Sequence, residues 1–358
     1  MTDDLERAIA ARGLGLGDLQ ARLRSSRLAL SPARAWLTLA RVFLTTALGE
    51  LCLLLAPASG PVRGLVLVLG WLVTASGLAG LFVIGHDCGH GSFARRAWVN
   101  TLVGHLCMSP TLIGFHAWRR AHAHHHAHAQ LRKEDPDWPE QMISRAEYER
   151  APWHERLRVR VTYGSIGGML VGFVVGMVRR TFMRWLYPQV RLSRRARREL
   201  LVSNAIMLLA SGGIIAGLWW ARGPWGAACF YGVPMYIGSV IGGLFTYVHH
   251  LGPGARVFDR EGWSPLRGQV VGTFDVRFPP WFEWLFLNIN RHIAHHVEPR
   301  VPWYCLPAAS DVLARELPEL AGRRFGLRYL ARGWAAPLLD ERGGGAFETG
   351  ALVRTDDP

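Results

Sequence analysis

The sequence predicts an all-α integral membrane protein: four transmembrane helices in two hairpins, with a histidine-bearing helical cap on the cytoplasmic side. Three observations carry this. Four apolar runs approach the ~20 residues that a helix needs to cross a bilayer core. Of 41 Lys and Arg residues, Arg63 alone lies between the first and second runs and Arg222 alone between the third and fourth. Fourteen of the 15 histidines, all but His154, fall within 86–128 or 249–296. A chain of 358 residues, 50% hydrophobic and 19% charged with a net charge of +14, is neither disordered nor a small disulfide-stapled domain.

In chain order, residues 1–34 read as a cytoplasmic N-terminal arm. It opens MTDDLERAIAARG, without the basic start and apolar core of a secretory signal. Residues 35–310 form the membrane domain, with spans at about 35–56, 64–84, 200–220 and 225–248. The first run holds Arg41, which should snorkel to the interface, and Glu50, which should sit against protein or near the far end. Gly, Ala and Ser are dense in the runs, as expected where helices pack closely in lipid. Two further apolar segments, 101–115 and 161–178, suit the interface. Counting the second as a span would put the two histidine regions on opposite sides of the membrane, and Arg158, Arg160, Arg179 and Arg180 flank it. Residues 311–358 form a C-terminal tail in which DVLARELPEL suggests a short amphipathic helix and ERGGGAFETG a flexible end.

Positive charge sets orientation. The flanks agree with the long polar sections, with Arg34 before the first run and RRARR at 194–198 before the third, so both termini and both large polar sections are expected in the cytoplasm. RRARR beside a span reads as juxtamembrane, not as a nucleic-acid site. The five cysteines form no CxxC and read as scattered reduced thiols. No GxGxxG or GxxxxGK[ST] motif is present.

The histidines fall into metal-ligand spacings. His86 and His90 stand at i and i+4 on a continuation of the second run, about 6 Å apart at Cβ. His122, His125 and His126 repeat as HxxHH, as do His292, His295 and His296. His249 and His250 close the fourth run. Imidazole suits iron, copper, zinc or nickel, but a structural zinc usually recruits cysteine and needs four ligands. Eight boxed histidines plus one of the pair at 249 and 250 would supply two metals. They meet only if all four groups lie at one face, as the two-hairpin topology requires.

HDCGHGSF, HAWRRAHAHHH followed by EDPDW, and NINRHIAHH resemble the three histidine boxes of the membrane fatty acid desaturase family. The context is most similar to its acyl-lipid delta-12 (omega-6) branch. The resemblance covers about residues 35–310, making that segment a desaturase domain. It implies a non-haem centre of two irons, dioxygen as co-substrate and two electrons from a partner, ferredoxin-like or cytochrome b5-like. The implied ligands are His86, His90, His122, His125, His126, His292, His295 and His296, with TYVHH placing the ninth on His250 over His249. The implied activity is insertion of a cis double bond into a fatty acyl lipid, in a bacterial cytoplasmic membrane. Family relatives commonly follow the second box with Thr-Asn, where this chain has Ala129 and Gln130.

Such chemistry needs carboxylates that orient the imidazoles and an apolar tunnel that holds one carbon–carbon bond at the metals. Asp87, Asp135, Asp137 and Glu298 are the candidate carboxylates, with His249 as a further neighbour. Trp118, Phe274, Trp281 and Trp284 are candidates for the tunnel, with Phe93 and Phe286 beside them. A diiron hydroxylase or ketolase on an alkane, sphingoid or carotenoid would share this machinery. A metal transporter is the reading from another class, but it predicts more ionisable residues inside the runs than Arg41 and Glu50.

Overall fold

The computed structural model describes residues 2–26, 28–137, 142–163, 192–250, 255–325 and 338–350. Among the described residues, three helical stretches are long and apolar enough to cross a membrane: Pro32–Leu54, Pro61–His90 and Arg194–His250. The third is not one rod. Gly223 adopts φ 68 and ψ −172 inside helix Arg194–Ala227 and Pro224 follows it, so the stretch is kinked there, before it continues into helix Val233–His250. The chain folds back there: the Tyr231 hydroxyl donates to the Pro110 carbonyl at 2.8 Å and lies 3.1 Å from Ser211 Oγ.

We number the helices α1 (Thr2–Ala11), α2 (Leu16–Ser25), α3 (Pro32–Leu54), α4 (Pro61–His90), α5 (Ala97–Met108), α6 (Phe115–His128), α7 (Arg145–Arg150), α8 (Trp153–Tyr163), α9 (Arg194–Ala227), α10 (Val233–His250), α11 (Pro280–Leu285), α12 (His292–Val297) and α13 (Leu306–Glu316). Local chemistry sets their ends. α3 starts on Ser31, whose hydroxyl accepts from the Arg34 amide at 3.4 Å, with Pro32 in its first turn. α4 also starts on a proline, Pro61, and stops at Gly91 in the left-handed region at φ 73.

α3 and α4 form an antiparallel hairpin in which glycines let the backbones touch. A Cβ on Gly77 would come within 2.9 Å of Thr46 Cα, one on Gly49 within 2.9 Å of Thr74 Cα, and one on Gly80 within 3.0 Å of the Val42 side chain. α10 lies along α4, with Gly238 against the Ala75 carbonyl. The outer faces remain apolar and exposed, among them Leu37, Leu44, Leu65 and Leu209, as lipid contact requires. Arg41, expected to snorkel to the interface, is half-buried. Its guanidinium lies 3.7 Å from the Trp284 ring centroid and donates to the Trp284 carbonyl at 3.0 Å.

The expected segment at 101–115 begins as α5, whose exposed Trp98, Leu102 and Leu106 recur every four residues on one face. The segment expected at 161–178 lies, from residue 164 on, outside the described residues. Both ends of the chain carry packed structure. The N-terminal arm is folded: Leu5, Leu19 and Leu23 of α1 and α2 are fully buried against Val297, Leu313 and their neighbours. ERGGGAFETG, expected as a flexible end, belongs to a hairpin of β4 (Leu338–Gly343) and β5 (Ala346–Gly350). β5 also pairs antiparallel with β1 (Arg256–Phe258), giving the order β1-β5-β4. Gly343, Gly344 and Gly345 at φ 85, 61 and 71 make the turn. The glycines that resemble a linker are there because the turn needs positive φ. Beyond them, β2 (Asp275–Val276) and β3 (Arg324–Phe325) form a short parallel pair.

Candidate metal centre

Each histidine group sits at the end of an element on the same face of the molecule. α4 carries His86 and His90 in its last two turns, and the amide and hydroxyl of Ser92 close that end by donating to the Asp87 carbonyl at 2.9 and 3.0 Å. α6 carries His122, His125 and His126, α10 ends on His249 and His250, and α12 carries His292, His295 and His296. All nine predicted ligands converge in two clusters. His86, His90, His122 and His295 lie together, as do His125, His250 and His296.

The Nε2 atoms define the first cluster closely. The His86–His122, His122–His126, His126–His295 and His295–His86 separations are each 3.1 Å, forming a closed ring of four nitrogens. At most two of these contacts could be hydrogen bonds, because an Nε2 carries either one proton or one lone pair. His90 Nε2 is buried beside them with no hydrogen-bond partner. Lone pairs converging on a cation account for the arrangement. With metal–nitrogen bonds of about 2.1 Å, ligands at right angles stand about 3.0 Å apart and tetrahedral ones about 3.4 Å. Spacings of this size are those of imidazole nitrogens that share one cation. In the second cluster His292 Nε2 lies 3.0 Å from His250 and 3.1 Å from His296. The donor set fits two metal ions.

Electrostatics agree. Burial first, and neighbouring imidazoles second, push His122, His126, His292, His295 and His296 well below the usual histidine range. They are therefore neutral, the state a ligand must have.

Three of the four predicted carboxylates touch a histidine. Asp135 Oδ1 accepts from His125 Nδ1 at 2.7 Å, Asp137 Oδ2 stands 3.4 Å from the same nitrogen, and Asp87 Oδ1 stands 3.3 Å from His86 Nδ1. With its Nδ1 engaged by Asp135, His125 has Nε2 left for a metal. Glu298 is the exception: its carboxylate accepts from Arg24 at 2.6 Å, because α12 ends there and the side chain leaves toward α2. His249 stacks on His292 with centroids 4.2 Å apart. His250 Nε2 meets the cluster, 3.0 Å from His292 Nε2.

An apolar cavity of about 140 Å³ opens beside both clusters, between α4, α6 and α10. His86, His122, His125, His250 and His292 border it, and Leu78, Phe82, Ile241 and Phe286 form its walls. Of the predicted tunnel aromatics, Trp118 lines it and stacks on His122 at 4.4 Å. Phe274, Trp281 and Trp284 do not line it. Phe274 is fully buried, with its amide on the His249 carbonyl at 3.0 Å, while Trp281 and Trp284 are exposed on α11. Proximity in sequence to a box does not fix side-chain direction, and α11 turns its tryptophans outward.

Buried amides brace the site in ways the sequence reading missed. Gln130, at φ 60, donates from Nε2 to the carbonyls of His250 and Gly272 at 2.7 Å each. Gln269 donates to the His126 carbonyl at 2.9 Å. Asn290 donates to Glu283 at 2.9 Å, and Glu283 also pairs with Arg291 at 2.8 Å, fixing the entry to α12. Polar residues within apolar stretches such as LFLNINRH are the signal that marks them.

Comparison with known proteins gives a consistent result. The family described as fatty acid desaturase matches residues 61–328. An sn-1 oleoyl-lipid 12-desaturase of Synechocystis sp. is 33% identical over 263 residues, 72% of this chain and 72% of that protein. One from Picosynechococcus sp. is 32% identical over 299 residues, covering 83% and 81%. An sn-1 acyl-lipid omega-3 desaturase (ferredoxin) of Synechocystis sp. is 27% identical over 283 residues, covering 77% and 76%.

Proposed function

The chain belongs to the fatty acid desaturase family and is an oxidoreductase of lipid metabolism, and from that premise we propose that it inserts a cis double bond at the delta-12 (omega-6) position of an acyl chain carried on a membrane lipid. The observation that carries this reading is the apolar cavity bordered by histidines of both clusters. The names of the most similar relatives support the position of the new bond.

Converting a CH2–CH2 pair to CH=CH with dioxygen, two electrons and two protons releases two waters. Two bound irons would supply the activation of dioxygen that no side chain provides. His86, His90, His122, His126 and His295 would hold one iron, and His125, His250, His292 and His296 the other. Asp135 holds the His125 ring in one tautomer, and Asp87 and Asp137 add to the orientation of the rings. Trp118, Phe82 and Phe286 keep the acyl chain against the histidines and exclude water.

Electrons come from a separate donor protein, ferredoxin-like or cytochrome b5-like; the ferredoxin-dependent relative favours the former. Residues 35–310 form the membrane domain, with four spans in two hairpins. Both termini and the histidine face lie in the cytoplasm, at a bacterial cytoplasmic membrane.

Co-expression with ferredoxin and its reductase, followed by mass spectrometry of the host lipids, tests the reading. Monounsaturated chains should lose two hydrogens, with the new bond at carbon 12. Unaltered chains in the presence of iron-loaded protein would refute it. A gain of one oxygen would replace desaturation by hydroxylation.

A further inference from the structure

α12 supplies three of the nine clustered histidines yet is six residues long. Isolated helices shorter than about 12 residues are marginal in water, so its orientation must be imposed by its surroundings. One face presents His292, His295 and His296 to the clusters. The other, Ile293, Ala294 and Val297, is buried in a core shared with Leu19 and Leu23 of α2.

Its two ends are held differently. At the start, the Ile293 amide donates to Asp275 Oδ1 at 2.9 Å. The last turn of a helix leaves carbonyls without intrahelical partners, and here the Val297 carbonyl accepts from Gln20 Nε2 at 3.0 Å. Glu298 is 7% exposed and accepts from Arg24 Nε at 2.6 Å. α1 is tied down separately, by Glu6 to Arg267 at 3.0 Å and Arg12 to Glu319 at 2.9 Å. This helix pair precedes the 61–328 segment that matches the family.

We propose that the N-terminal helix pair, residues 2–26, is a positioning element of the metal centre, with Gln20 and Arg24 setting the angle at which α12 delivers its imidazoles. The proposal rests on the metal-binding role given to the histidines above, not on the identity of the lipid. Neither residue touches the site; both act through the far end of α12. Groups that orient metal ligands from outside typically contribute 10- to 100-fold in affinity.

Cobalt(II) bound to the full-length protein in detergent reads the geometry without turnover. In Gln20→Ala/Arg24→Ala, cobalt should pass to a chelator about ten-fold faster and its visible spectrum should shift. After iron loading, kcat should fall with KM for the acyl lipid unchanged. The exchange Arg24→Glu/Glu298→Arg should restore the slow release. A merely structural arm would lower the melting temperature and leave the cobalt spectrum and release rate at wild-type values, and that result overturns the proposal. Arg24→Ala alone, at a side chain 65% exposed, guards against a double variant that does not fold and should shift cobalt release in the same direction. Because cobalt retention is read without lipid, failure here is distinct from failure of the desaturase reading.

Discussion

Asp135 has no exposed surface and satisfies three donors: His125 Nδ1 at 2.7 Å, the Gln130 amide at 2.8 Å and the Asp137 amide at 3.0 Å. Asparagine in its place would remove the charge and could turn an NH2 group toward an amide N–H, leaving buried donors facing each other. Asp135→Asn should weaken metal binding at the second cluster about 10- to 100-fold, measured as iron lost to a chelator over time. Asp137→Asn, whose carboxylate stands 3.4 Å from the ring nitrogen that Asp135 approaches to 2.7 Å, should lose iron more slowly than Asp135→Asn. Equal retention of iron by Asp135→Asn and wild type would show that the carboxylate does not orient a ligand. At this scale the clustering of the histidines was legible because HxxxH and HxxHH spacing survives as one helix face. Glu298 was not, since sequence proximity to His296 says nothing of a side chain leaving the end of α12. Gln130 was noticed only as a departure from Thr-Asn, and its role depends on a φ of 60 and on carbonyls 120 and 142 residues away.

The α3–α4 hairpin places the first histidine pair, so its packing reaches the site. Glycine at 77 allows the two backbones to approach: a Cβ there would stand 2.8 Å from the Thr46 amide nitrogen and 2.9 Å from Thr46 Cα. At Gly80 the same atom would meet the two Val42 methyl groups at 3.0 Å, and a side chain can give where backbone cannot. Gly77→Ala should therefore cost about 1–3 kcal/mol, as overpacking typically does, and Gly80→Ala less, measured by thermal unfolding in detergent. Equal stability of the two variants would mean that α3 shifts along α4 without cost. Element boundaries were partly readable. The runs at 35–56 and 64–84 became Pro32–Leu54 and Pro61–His90, extended at their starts by Ser31–Pro32 and Gly60–Pro61. The β4–β5 hairpin escaped because three consecutive glycines and charged neighbours have the composition of a tail. Its pairing with β1 is a contact between residues some 90 positions apart.

For the whole molecule the main constraint is that distant groups reach one face. A straight helix from Arg194 to His250 would be about 85 Å long, nearly three times the ~30 Å bilayer core. The break at Gly223 and the Tyr231–Ser211 contact resolve this by returning the chain, so that His249 and His250 line the same cavity as His86. Arg63 and Arg222 stand by themselves in the two connections, and that distribution of charge is the basis for proposing that the histidine face is cytoplasmic. A reporter active only outside the cytoplasmic membrane, inserted in turn after Ser59, after Arg222, after Gly91 and at the C-terminus, should be active at the first two sites and silent at the last two. Adding three lysines beside Arg222 should reduce activity at that site, because positive charge resists transfer across the membrane. Activity after Gly91 would place the first histidine pair on the far side, and the single cytoplasmic face would have to be abandoned. Activity after Ser59 and at the C-terminus, with silence after Arg222, would instead restore a crossing within 161–178 and put the two histidine regions on opposite sides, against the 3.1 Å approach of His86 Nε2 to His295 Nε2.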